Sequence, residues 1–74
     1  MNNHLEKIKP FKFEDTLCVT INQFAQLEDV TRRTVHGWLK RGMLNYSGLM
    51  DGQTEKKFIH ISSLSAKGLK GLDI

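Results

Sequence analysis

Val30-Thr31-Arg32-Arg33-Thr34-Val35-His36-Gly37-Trp38-Leu39-Lys40-Arg41-Gly42-Met43-Leu44 is the stretch that decides the fold. Its spacing predicts a helix starting near Arg32. At about 100° per residue, Val35, Trp38 and Leu39 share one stripe. Arg33, Gly37 and Lys40 lie opposite, flanked by His36 and Arg41. The apolar face carries a tryptophan as its expected anchor. The other face is basic, with no acid between Arg32 and Arg41. Thr31 suits the N-cap, and Gly42 suits the position just past the end. A short, capped, basic helix of this kind suits insertion into a groove of duplex DNA.

Composition narrows the classes. A chain of 74 residues reads as one domain. At this size only roughly 60% of the unfolded chain's surface is buried, so a sizeable substrate pocket beside the core is not expected. The net charge is +3, with an isoelectric point near 9.3. Its distribution is more telling. Residues 32 to 41 hold four positive charges and no negative one, while acids stand at Glu6, Glu14, Asp15, Glu28, Asp29, Asp51, Glu55 and Asp73. A basic patch on an otherwise mixed chain is an electrostatic footprint of nucleic-acid binding. Cys18 is the single cysteine. A disulfide framework is therefore excluded, and a reducing cytoplasm is the expected compartment. Next to Val19, Cys18 reads as a small apolar strand residue rather than a redox thiol. No apolar run reaches membrane-spanning length. Near the N-terminus Leu5, Ile8, Phe11 and Phe13 are interrupted by charges, so no signal peptide is expected there.

Residues 1–15 read as an N-terminal arm, with Pro10 ending any early helical turn. Residues 16–67 read as the folded domain, and 68–74 as a flexible tail loosened by Gly68 and Gly71. Leu17 to Val19 is an expected strand. Thr20, with Gln23 three residues on, matches a capping box before a helix over Ile21 to Leu27. Glu28-Asp29-Val30 is a turn with one apolar plug. Helix, turn and basic helix together make the helix-turn-helix arrangement. Leu44, Tyr46 and Leu49 then suit a strand. Asp51-Gly52 signals a turn within a polar loop of about residues 50 to 55, and Lys57 to Ile61 suits the returning strand. Ile59 and Ile61 are expected on one face, with Phe58 on the other. Ser62 or Ser63 is the expected cap of a short last helix reaching Ala66. The fold class expected is α+β: a small winged helix-turn-helix with two short helices, a β-hairpin wing and a short C-terminal helix.

Val19-Thr20-Ile21-Asn22-Gln23-Phe24-Ala25, leading into Thr34-Val35-His36-Gly37-Trp38-Leu39-Lys40-Arg41-Gly42-Met43-Leu44 and a hairpin, resembles the excisionase/Cox proteins of temperate phages. These are small winged-helix proteins distantly similar to the DNA-binding domain of MerR regulators. The resemblance covers roughly residues 17 to 65 and is strongest in Thr-Val-x-x-Trp-Leu followed by Arg-Gly-x-Leu. It implies a recombination directionality factor that binds and bends attachment-site DNA, favours excision, and in some members represses an early promoter. It also implies cooperative self-association on DNA and a phage integrase as partner. The family's major-groove readers correspond to the face of Arg33, Gly37 and Lys40, and its basic wing residues to Lys56 and Lys57. Gly37 departs from the long basic side chain common at that position, which shifts sequence choice toward Arg32, Arg33 and His36.

The residues themselves support these roles unequally. Arginine can bond guanine bidentately, and Arg32 and Arg33 sit in the first turn, which penetrates deepest into a groove. The plain alternative is a solvated basic face. Thr31 and Thr34 could offer hydroxyls to phosphate or face water, and His36 could touch base or phosphate. Gly37 in a helix interior costs about 1 kcal/mol against alanine, a cost that close approach of a DNA backbone would explain. Lys40 and Arg41 suit phosphate contacts, as do Lys56 and Lys57 in or beside the minor groove. Trp38 could stack on an unpaired base, but its stripe with Val35 and Leu39 points to packing. Tyr46 suits packing on the hairpin. No metal-ligand spacing or glycine-rich phosphate loop is present in the sequence, His4, His36 and His60 fall in different elements, and no enzyme or cofactor is expected.

The expectation is thus a non-enzymatic, sequence-specific binder of double-stranded DNA, in the cytoplasm of a bacterial host. Its apolar arm residues Phe11 and Phe13 and its Leu69, Leu72 and Ile74 tail are candidates for self-association. A winged-helix transcriptional regulator without a recombination role uses the same helix. A protein-interaction adapter meeting an acidic partner is the alternative of another class.

Overall fold

Thr20 ends a strand and starts a helix, and the rest of the architecture is arranged about that junction. A computed structural model describes residues 7–74. In it β1 (Phe11–Phe13), β2 (Thr16–Thr20), β3 (Tyr46–Asp51) and β4 (Thr54–His60) form a curled antiparallel sheet in the order β1-β2-β4-β3. Helices α1 (Ile21–Glu28), α2 (Arg32–Lys40) and α3 (Ala66–Leu69) complete a small α+β domain.

The capping box at Thr20 is made in full. The Gln23 N–H donates to Thr20 Oγ1 at 3.1 Å, and the Thr20 N–H donates to Gln23 Oε1 at 2.9 Å. Two of the helix's open donors are thereby used. Asp29 closes α1 in the left-handed region, with φ 58°. The Val30 N–H reaches the Ala25 carbonyl at 3.0 Å, and the Asp29 N–H reaches that of Gln26 at 3.2 Å. That is a Schellman ending, with Val30 as its apolar contact against the core. Helix α2 ends the same way: Gly42 has φ 74°, and the Met43 N–H reaches the Trp38 carbonyl at 3.0 Å.

The core is a contact of both central strands with α1, α2 and the residues that flank α3. Val19 and Ile59 are register partners across β2 and β4 and are fully buried. Phe24 and Leu27 from α1, Val35 from α2, Leu64 and Leu72 close over them. The fully buried anchor of α2 is therefore Val35. Trp38 packs at the core's edge instead, its ring edge-on to Phe24 with centroids 6.4 Å apart. The other face of the sheet holds Phe11, Phe13 and Phe58, the first two rings each 5.1 Å from the third. Cys18, opposite Phe11 in register, is buried beneath them. Burial, and after it the charge of Glu14, pushes its thiol above the usual range and keeps it neutral.

Several expectations are corrected. Residues 11–13, placed in the arm, form an edge strand on β2. They turn through Glu14 and Asp15, whose φ values of 51° and 66° fit a two-residue hairpin turn. Residues 1–6 of the expected arm lie outside the described residues. The expected tail is packed: Leu72 is 3% exposed, and Ile8 bridges to it through the Ile8 N–H on the Gly71 carbonyl at 2.9 Å. Pairing in the second hairpin continues to Asp51 and Thr54, so Gly52 and Gln53 alone make the turn. Strand β4 ends at His60, and Ile61 opens a short 3-10 turn. The last helix begins later than expected, capped by Ser65. The Glu28 carboxylate accepts from the Ser65 N–H at 2.7 Å and from its hydroxyl at 2.9 Å, tying α1 to α3.

Leu72→Ala is expected to destabilise the fold by about 2–4 kcal/mol, the cost of truncating a buried leucine. Chemical denaturation measures it. A midpoint equal to that of the parent would return residues 68–74 to a loose tail.

Candidate nucleic-acid interface

Burial of Val35 sets which side of α2 faces what. Arg32, His36 and Lys40 are four residues apart and form one ridge. That ridge turns toward the β3–β4 hairpin. A cleft of about 470 Å³ lies between them, lined by Arg32 and His36 on one side and Glu55, Lys56 and Lys57 on the other. A second hollow of about 310 Å³ continues it past His36, Leu39 and Lys40 to Tyr46 and Lys57. His36 and Lys57 line both, so the two form one groove. Its far wall is the start of α1, at Ile21 and Asn22.

Of the sequence-derived candidates, the groove brings together Arg32, His36, Lys40, Lys56 and Lys57. Arg33, Gly37 and Arg41 form the neighbouring ridge and do not line it. Arg33 and Arg41 are exposed. Thr31 and Thr34 are engaged with each other: the Thr34 N–H donates to Thr31 Oγ1 at 3.2 Å, and the two hydroxyls lie 3.1 Å apart. Thr31 is first of all the cap of α2. Asn22, Tyr46 and Glu55 belong to the groove and were not singled out from the sequence as site residues. The signal for Glu55 was its position two residues before Lys57 on a strand, which puts both on one face.

The cations divide into two sets. Lys56 pairs with Asp51 at 3.4 Å and Lys57 with Glu55 at 3.1 Å. The Lys57 ammonium also lies 5.7 Å from the centre of the Tyr46 ring. Arg32, Arg33, Lys40 and Arg41 make no salt bridge among the described residues. Four cations on or just beyond a nine-residue helix thus lack a counter-ion among the described residues. Their mutual repulsion is relieved by solvent or by an anionic partner.

Among the described residues, no three His, Cys, Asp or Glu side chains gather in a metal-binding group, and no helix is long and apolar enough to cross a membrane. Comparison with protein-family models, with curated proteins and with solved structures finds no match to this chain.

Gly37 adds a discriminating observation. A Cβ placed there meets nothing within 4 Å. Packing therefore gives no reason for glycine in the middle of α2. Gly37→Ala is expected to stabilise the protein by about 1 kcal/mol, the helix-propensity difference. A rise in thermal midpoint would show it, and a fall would mean that the helix needs glycine for its own conformation.

Proposed function

We propose that this chain is a winged helix-turn-helix protein that binds double-stranded DNA, with α1 and α2 as the helix-turn-helix and the β3–β4 hairpin as the wing. The observation that carries the reading is the acid-free helix α2, whose cations make no ion pair among the described residues and whose flank faces a lysine-bearing hairpin. A helix of nine residues is about 13–14 Å long, and the major groove admits a helix of ordinary diameter. With Val35 inward, the ridge of Arg33, Gly37 and Arg41 enters that groove. Arg33, in the first turn, reaches base edges. Arg32, His36 and Lys40 lie between this ridge and the wing, where the phosphate backbone passes. Lys56 and Lys57 meet the next stretch of backbone or the minor groove. The bare backbone at Gly37 permits close approach to the DNA.

The recombination role rests on the resemblance of residues 19–25 and 34–44 to phage excisionase/Cox proteins. In that reading the protein acts architecturally in a bacterial host's cytoplasm, without turnover or cofactor. It bends attachment-site DNA beside an integrase, with repression of an early promoter by the same contacts. A single module of this size has a small interface, about 600–1,000 Å², so neighbouring copies on DNA add to its affinity. Phe11, Phe13 and Leu72 are occupied within the fold, which leaves Leu69 and Ile74 as the exposed apolar residues of the expected self-association segments.

Selection from a random duplex library, followed by titrations at several salt concentrations, tests the DNA reading. Binding is expected to weaken steeply with salt and to prefer a defined sequence. Arg33→Ala should relax preference at one or two base pairs, at a cost of about 1–3 kcal/mol. Lys40→Ala should weaken all duplexes alike and make the salt dependence shallower. Salt-independent binding, or none, would sink the proposal, and equal losses on every sequence would remove base reading from Arg33.

A further inference from the structure

Glu55 stands out within the groove. It is the one carboxylate among the described residues that line it, set among Arg32, His36, Lys56 and Lys57. Alternation along β4 puts Glu55 and Lys57 on the same face, and register sets Lys57 against Gly48 of β3. A Cβ at Gly48 would collide with the Glu55 carboxylate. The missing side chain there is what gives that carboxylate room to fold back along the hairpin. From this position Glu55 Oε1 holds Lys57 Nζ at 3.1 Å, with the Tyr46 ring on another side of the ammonium. Lys57 is thus kept along the hairpin's own surface, while the cations of α2 have no such carboxylate among the described residues.

We propose that Glu55 is an internal competitor for the phosphate that Lys57 would otherwise neutralise, and so limits the affinity and salt dependence of the hairpin's contact with DNA. The inference rests on the DNA-binding reading above. Two effects act in the same direction. A partly exposed ion pair opens at little cost, so Lys57 can be released. Its release leaves an uncompensated carboxylate in the groove, where an approaching phosphate is repelled. The hairpin therefore adds less to binding than its two lysines suggest. Most of the counter-ion release falls to α2.

Glu55→Gln keeps the side chain's size and fits the space over Gly48, so thermal melts should match those of the parent. Binding of the full chain to the selected duplex is measured for the parent, E55Q, K57M and the double variant, across a salt series. E55Q should bind about 3–10-fold tighter at low salt. Its slope of log affinity against log salt should steepen by about 0.9, the value for one added phosphate contact. K57M alone should lose little slope, and the steepening by E55Q should vanish in the K57M background. Parent and E55Q binding alike would overturn the inference and leave the DNA reading standing. Weaker binding of E55Q, confined to the selected sequence, would also overturn it and make Glu55 an acceptor from a base amino group. A parent that binds no duplex at any salt would overturn both readings.

Discussion

Burial of Val35 is the constraint on which the surface of this protein depends. Val35 has no exposed area and packs in the cluster that holds Val19, Phe24 and Ile59. A helix with one fully buried residue has its rotation about its own axis fixed. Counting about 100° per residue from Val35, Arg32, His36 and Lys40 fall about 60° to 140° round, and Arg33, Gly37 and Arg41 about 160° to 240°. One basic ridge therefore meets the hairpin and the other meets solvent. A rotation of one residue would bury a charge without a partner, which costs far more than the domain has to spare. Core packing and charge placement are thus one decision. Trp38, at the edge of the core, widens the apolar contact and is not what sets the angle.

The elements that were readable in the sequence are those specified by local chemistry. Thr20 with Gln23, Thr31 at the start of α2 and Gly42 at its end each act within a few residues, and each is found doing so. The turn at Asp51-Gly52 is of the same kind. What was not readable depended on partners distant in sequence. Phe11 and Phe13 look like scattered apolar residues among charges until Phe58 supplies the rings they pack against. Their turn uses Glu14 and Asp15 in a conformation usually given to Asn and Gly, so the local signal was absent. Leu72 sits between glycines and charges, and only Ile8 and the core show that it is buried. Ser65 rather than Ser62 or Ser63 caps α3 because Glu28, 37 residues earlier in the chain, accepts its N–H and hydroxyl.

The candidate site was legible to a similar degree. The basic side of α2 follows from helical spacing alone. That Arg32, His36 and Lys40 share a groove with Lys57 required the angle between helix and hairpin, which no spacing rule supplies. The division between restrained and unrestrained cations was also hidden. Alternation along one strand puts Glu55 beside Lys57, but the pairing of Lys56 with Asp51 across the turn needs the strand register.

These features point in one direction when set against stability. Arg32 and Arg33 occupy the first turn of α2 with no acid beside them, which lowers its stability, because the helix N-terminus carries the positive end of the dipole and favours negative charge. Glycine at an open position in the same helix lowers stability again. Neither feature is required by the core, since Val35, Trp38 and Leu39 pack without them. The hairpin, in contrast, satisfies its lysines internally and continues its pairing to the last possible residue. The turn at Glu14 and Asp15 also departs from local preference, but in α2 two departures, in charge and in helix propensity, fall on one exposed face, and departures of that kind are expected where a surface serves a partner. On the proposed reading both departures serve the same partner, because duplex DNA is a polyanion whose backbone can approach closely the bare chain at Gly37.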